Sequence, residues 1–233
     1  MLPVSLLLLF TVLLGIIIGL HFRTVRNDRK LLQTVTDLHR GTWGERRLVL
    51  QLLKHGVPAK AVFHDLYVEK TTGGTSQIDL VVPTKAGIIV FEVKEYSGWI
   101  FGKGYQEYWT QVLAYGREKY RLYNPVKQNK GHIEALKQRL AHCADVPYFS
   151  VIVFGGDCEL RDVSCIPENT YIVYMNEACK MFDTIVQSNV PANYGNKYEV
   201  LRVLEEAVRY GGNPEVQVRH IRNIERMLEK NAR

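Results

Sequence analysis

The sequence predicts one mixed α/β domain carried behind a single N-terminal membrane-spanning helix. Three observations lead there. An uncharged apolar run occupies Leu2–Leu20; short β-branched stretches bounded by Gly, Pro and Asn fill the middle of the chain; helical apolar patterns alternate with them. Of the 233 residues 46% are hydrophobic and 10% aromatic, which excludes a wholly disordered chain. Eighteen Gly and eight Pro exclude collagen-like and low-complexity classes.

The anchor spans residues 2–21. A helix of that apolar run is roughly 29 Å long, about one bilayer core. No Lys or Arg precedes the run and no Ala-x-Ala site follows it, so a membrane-spanning segment in contact with lipid fits better than a cleaved signal or a core helix. Residues 22–40 form a basic juxtamembrane linker or helix with Arg23, Arg26, Arg29, Lys30 and Arg40, about half of the net charge of +6. Basic flanks stay in the cytosol, so the expectation is a single-pass protein with its N-terminus outside and its domain cytoplasmic. The remaining excess charge is modest, which disfavours a basic coat protein for nucleic acid. Four cysteines without CxxC spacing read as reduced, mostly buried thiols.

From Thr42 a helix carries Trp43, Leu48, Leu50, Leu52 and Leu53, and ends at His55-Gly56. Strands are expected at Ala61–Glu69, Gln77–Val82, Ile88–Lys94, Trp99–Phe101 and Tyr105–Leu113, with a turn at Thr71–Gly74. Asn124-Pro125 starts a helix to about Leu140, with Val126, Ile133, Leu136 and Leu140 inward. Strands follow at Tyr148–Phe154 and Tyr171–Tyr174, then helices near 177–187 and 197–210. A last amphipathic helix, Pro214 to Lys230, puts Val216, Val218, Ile221, Ile224 and Leu228 on one side. Residues 41–140 form the core unit, and 141–233 complete the same domain. The last helix, 214–230, either covers its own core or mediates self-association.

Acidic residues inside apolar strands need partners. Asp79 stands in Gln77-Ile78-Asp79-Leu80-Val81-Val82, and Glu92 and Lys94 in Val90-Phe91-Glu92-Val93-Lys94. Alternation puts Glu92 and Lys94 on one strand face. An antiparallel hairpin around a two-residue turn at Lys85-Ala86 sets Asp79 opposite Glu92, with Cβ atoms about 5 Å apart. Facing carboxylates repel unless one is protonated or a cation lies between them. Oxygen donors of this kind suit Mg²⁺ or Mn²⁺, and Lys94 is placed to stabilise charge on a phosphate. The bland alternative is a structural Glu92–Lys94 salt bridge.

The runs Gly41-Thr42-Trp43-Gly44-Glu45, Ser76-Gln77-Ile78-Asp79, Phe91-Glu92-Val93-Lys94-Glu95-Tyr96-Ser97-Gly98-Trp99-Ile100, and Asn124-Pro125-Val126-Lys127-Gln128-Asn129 with His132 resemble the nuclease-related domain (NERD) family. That family is similar in fold and motif to the PD-(D/E)xK nucleases. The resemblance covers about residues 40–140 and implies a restriction-endonuclease-like mixed β-sheet flanked by helices. It implies that Asp79 and Glu92 bind metal, Lys94 is the catalytic lysine, and Glu45 offers a further acid. Glu45 also reads as an ordinary first-turn acid of a helix. Gln77 would position water or phosphate, or make a strand-edge hydrogen bond. Gln128 and Asn129 would face phosphate at a helix start, or serve its cap. His132 reads as a base or as a surface or packing residue. Ile78 stands where the parent motif has Pro. Gln111 and Tyr115 match a Gln-x-x-x-Tyr pattern of related nucleases, but in a segment read as strand.

The resemblance implies Mg-dependent hydrolysis of a phosphodiester in nucleic acid, with DNA the first expectation. The alternative is a non-catalytic nucleic-acid-binding or membrane scaffold module that keeps the fold. Trp99, Trp109 and the tyrosines between 105 and 123, beside Arg117, Lys119 and Arg121, read as core or as a surface for bases and phosphates.

Overall fold

A computed structural model describes residues 4–71 and 73–231, with side chains over 9–71 and 73–223. Leu2, Pro3 and Thr72 of the expected anchor and turn lie outside the described residues, as do the side chains of Ile224 and Leu228. Helix α1 (Val4–Leu32) does not stop where the apolar run stops. Its stretch Leu9–Leu32 is long and apolar enough to cross a membrane, and an 18-residue window within it has a mean hydropathy of 1.6 and is unburied. Its last turn is attached to the domain. Leu31 and Leu32 enter the core with Val35, and Asp28 pairs with Lys54 at 2.7 Å. The segment expected as a linker is therefore helical through Leu32, and its remainder carries the buried Thr36.

Helix α2 (Trp43–Lys54) is capped by Thr42, whose hydroxyl accepts the Glu45 N–H. Its buried side is Leu48, Val49, Leu52 and Leu53; Trp43 and Leu50, expected among the apolar members, lie outside it. Trp43 is exposed and takes Arg47 over its ring. Strands β1 (Phe63–Glu69), β2 (Thr75–Thr84) and β3 (Gly87–Glu95) follow as an antiparallel meander. Helix α3 (Pro125–Leu140) then leads to β7 (Tyr148–Gly155), parallel to β3. With β9 (Thr170–Tyr174) the first sheet has the order β1-β2-β3-β7-β9. Helix α2 and α4 (Ala178–Ser188) pack on one side of it, around Leu80, Phe91 and Val153. Helix α3 and α5 (Lys197–Gly211) pack on the other, around Ile78, Ile88 and Val90.

The middle strands do not join that sheet. Strands β4 (Gly98–Lys103), β5 (Tyr108–Leu113), β6 (Glu118–Tyr123) and β8 (Cys158–Ser164) make a second one, in the order β6-β5-β4-β8. Neither β6 nor β8 is expected from the sequence, and β5 begins three residues late because Lys103–Gln106 forms a turn. The second sheet lays Ile100 and Trp109 on Ile152 and Phe154 of β7. The Trp109 and Phe154 rings stack at 6.3 Å with planes 2° apart, and a Cβ on Gly102 would collide with the indole. Gln111 and Tyr115 do not act together: Gln111 donates to the Ser97 carbonyl, while Tyr115 is exposed.

Helix α6 (Pro214–Asn231) closes the chain. Val216 is buried but Val218 and Ile221 are exposed, so the expected apolar side is split between core and solvent. All four cysteines are free, and Cys165 is exposed rather than buried.

Phe91 is fully buried between α2 and the sheet. Phe91→Ala is expected to cost about 3–5 kcal/mol in denaturant unfolding.

Candidate functional site

The β2–β3 hairpin keeps the expected turn. Thr84 pairs with Gly87 and Leu80 with Phe91, so the next residues along are Asp79 and Glu92. There the Asp79 side chain bonds across in place of backbone: its Oδ2 accepts the Val93 N–H at 2.8 Å. On the other edge of β2, Leu66 pairs with Ile78 and His64 with Leu80; Asp65 and Asp79 lie between those pairs. Asp65 has φ +55°, a left-handed conformation uncommon outside glycine. The kink shifts the strand alternation. Phe63 and Leu66 enter the same core, as do Ile78 and Val81, although each pair is three apart. Counting by twos from Gln77 therefore does not carry across Asp79. Gln77 instead donates to Asp65 Oδ1 at 2.9 Å.

Glu92 is 1% exposed. Its Oε1 meets Lys94 Nζ at 2.7 Å and its Oε2 meets His132 Nε2 at 3.1 Å. Lys94 also donates to Gln128 Oε1 at 3.1 Å. The opposite nitrogen of His132 bonds the Ser76 hydroxyl at 2.7 Å. Burial works to raise the Glu92 pKa, but His132 and Lys94 outweigh it and hold the carboxyl below its ordinary range. Burial works to lower the Lys94 pKa, but the Glu92 charge, with Tyr96 and Asp79, leaves it raised.

A second triplet repeats the pattern from α2. Glu45 Oε2 meets His64 Nε2 at 3.3 Å, and His64 Nδ1 bonds the Thr36 hydroxyl at 2.8 Å. The Thr42 hydroxyl donates to Glu45 Oε1 at 2.9 Å. Burial pushes the Glu45 carboxyl up, and hydrogen bonds from His64 and Thr42 bring it below its usual value. Gly41 is required here: its φ is +63°, and a Cβ would collide with Glu45 and His64. Gly44 and Gly155 leave room in the same way for the Glu95 carboxylate.

Asp79 is the strained member. Burial raises its pKa well above the ordinary carboxylate range, and the charges of Glu92 and then Glu45 raise it further. Sequence-predicted Asp79, Glu92, Lys94, Gln128 and His132 thus converge, with Glu45 near enough to act on Asp79 by its charge. Asn129 does not join them. It is fully buried and clamps α3 to the sheet, donating to the Val90 carbonyl at 2.9 Å and the Ser150 hydroxyl at 2.8 Å. Gln128 serves no cap, since Asn124 accepts the Val126 N–H. His132 is buried on Glu92 and is no surface residue.

Sequence reasoning missed Thr36, His64, Asp65 and Ser76. The signal for two of them was present: His64-Asp65 is a polar pair inside an apolar strand, as Asp79 is. Asp65 also receives Arg40, whose Nε lies 3.0 Å from Oδ2 and whose Nη2 donates to the Asp65 carbonyl at 2.6 Å.

Glu45, Asp79 and Glu92 offer the oxygen donors that Mg²⁺ or Mn²⁺ takes. Glu92 Oε1 is taken by Lys94, whereas the buried Oε2 atoms of Glu92 and Glu45 each face a histidine ring nitrogen with no aligned hydrogen bond; among the described residues no three His, Cys, Asp or Glu side chains are grouped to hold a metal.

Fold and site together define a mixed α/β domain with a buried carboxylate–lysine–histidine site beside a sheet hairpin. Residues 40–155 match the nuclease-related domain family, NERD, and the chain belongs to that family. It is 30% identical over 157 residues to an uncharacterised protein of Bacillus anthracis, covering 66% of this chain and 72% of that protein. No solved structure matches the chain.

The raised Asp79 pKa means that ionised Asp79 opposes folding above the ordinary aspartate range. Asp79→Asn keeps an acceptor for Val93 and removes that charge. The variant is expected to melt higher than wild type at neutral pH. The gap is expected to close as pH falls through the raised pKa and towards 3.8, where wild type is protonated in both states. Thermal melts across pH check it.

Proposed function

We propose that this protein is a membrane-anchored nucleic-acid-binding module built on a restriction-endonuclease-like sheet. The observation that supports it is the pairing of Glu92 Oε1 with Lys94 at 2.7 Å, with His132 Nε2 lying 3.1 Å from the other oxygen. The acid and the lysine of the nuclease-like set neutralise each other. A phosphodiester is an anion that can take the place of Glu92 on Lys94, with the Gln128 amide beside it. The basic residues of α1 beyond its apolar run, Arg23, Arg26, Arg29 and Lys30, favour an N-terminus outside and a domain in the cytoplasm. The exposed Val218 and Ile221 make α6 the segment for self-association.

A second reading is metal-dependent hydrolysis of that phosphodiester with Mg²⁺ or Mn²⁺, DNA first. The observation in its favour is that Glu45 and Glu92 both raise the pKa of Asp79, so three carboxylates share one neighbourhood. Asp79, Glu92 and Glu45 would hold the ion, and Lys94 and Gln77 would assist.

The test uses the full chain in phosphatidylcholine nanodiscs with labelled single- and double-stranded DNA and RNA, with and without Mg²⁺ or Mn²⁺. Expected are salt-dependent binding, a loss of about tenfold or more in Lys94→Ala, and no product. Cleavage that Lys94→Ala abolishes would replace this reading by the second. Absence of binding to every probe would overturn both.

A further inference from the structure

The second sheet has one covered face and one open face. Inward, Ile100, Trp109 and Leu122 pack on β7. Strand alternation then turns Trp99, Phe101, Tyr108 and Tyr123 outward. The substantial helix packing is all against strands of the first sheet, so no helix comparably covers this face among the described residues. Uncovered sheet faces are ordinarily polar, and this one is aromatic.

The rings are interleaved with cations. Arg121 lies 4.2 Å from the Tyr108 ring centre, and Arg161 lies 5.0 Å from that of Trp99. Tyr108 and Tyr123, paired across β5 and β6, meet edge to face at 6.1 Å. Phe101, Thr110 and Arg121 form one row across three strands; Trp99, Val112 and Lys119 form the next. Tyr123 is 48% exposed and Lys119 and Arg121 are exposed; Trp99, Phe101 and Tyr108 are half-buried, and Val112 is buried among them. Charge is divided along the face. Lys119 and Arg121 sit on the β6 edge, whereas Glu159 and Asp162 sit on β8, with Arg161 paired to Glu159 at 2.9 Å.

Planar rings beside an edge rich in cations complement a ligand with flat π faces on an anionic backbone. Single-stranded nucleic acid is that ligand: its unpaired bases stack on rings, and its phosphates meet Lys and Arg. A duplex hides its base faces. An anionic bilayer would be repelled by Glu159 and Asp162. We propose that the open face of β4, β5 and β6 is a platform for single-stranded nucleic acid, with bases on Tyr108, Tyr123 and Phe101 and phosphates on Lys119 and Arg121. The inference rests on the nucleic-acid reading above and names its substrate class.

The experiment is fluorescence anisotropy of the full chain in phosphatidylcholine nanodiscs with a labelled single-stranded oligothymidylate, against a duplex of equal length. Expected is preference for the single strand, about tenfold weaker binding in Tyr123→Ala, and retained binding in Tyr123→Phe, which keeps the ring. Arg121→Gln is expected to weaken binding and flatten its salt dependence. Equal melting temperatures confirm that these surface variants fold. Binding that falls in Lys94→Ala but not in Tyr123→Ala or Arg121→Gln would overturn the platform and leave the function reading standing. Wild type that binds no nucleic acid would overturn both. Capture by phosphatidylserine vesicles that Tyr123→Ala abolishes, without single-strand preference, would make the face a membrane contact and overturn the proposal.

Discussion

A carboxylate placed inside a sheet stays charged only where cations meet it at close range. Glu92 is in that position, and the surrounding structure is arranged around it. Strand β3 supplies Lys94 two residues on, helix α3 supplies His132 and Gln128, and β2 supplies Ser76 to hold the far side of the imidazole. Removing Lys94 leaves a buried carboxylate without its ion-pair partner. Asn129 on the same helix fixes α3 against β3 and β7, so the helix reaches the site at one register. In the proposed function, nucleic-acid binding is a competition for Lys94 between Glu92 and phosphate.

The second triplet, Thr36–His64–Glu45, carries this arrangement towards the apolar N-terminal helix. Thr36 lies just beyond α1, and four residues further Arg40 grips Asp65 at the kink beside Asp79. Arg40 also donates to the Val208 carbonyl at 3.0 Å, binding α5 to the same point. The segment that joins the apolar helix to the domain is thus part of the support for the acids and not a passive tether. Gly41 and Gly44 are explained by the same packing, since each occupies space that a side chain would take from Glu45, His64 or Glu95.

Much of this was legible in the sequence. The hairpin turn at Lys85-Ala86 follows from the Gly/Pro punctuation and brings Asp79 next to Glu92; the α3 start follows from Asn124-Pro125. Lys94 and Glu92 on one face follow from alternation. What was not legible has physical causes. Asp65 adopts a left-handed conformation that no local pattern announces, and it breaks the period by which Gln77 was placed. Strand β6 is exposed on nearly every residue, so it shows no apolar alternation, and β8 is half charged or polar. Their pairing needs β4 and β5, which are set by distant contacts on Phe154. From sequence His132 reads as a base or as a surface or packing residue, because the carboxylate it meets lies 40 positions away in the chain.

The central claim is that Glu92 is held ionised by Lys94 and His132. Carboxyl ¹³C NMR of the glutamate-labelled chain, with Glu92 assigned through Glu92→Gln, measures this directly. The account predicts a Glu92 midpoint below the ordinary glutamate value, moving up in His132→Ala. A Glu92 that titrates at or above that value, unmoved by His132→Ala, would contradict it.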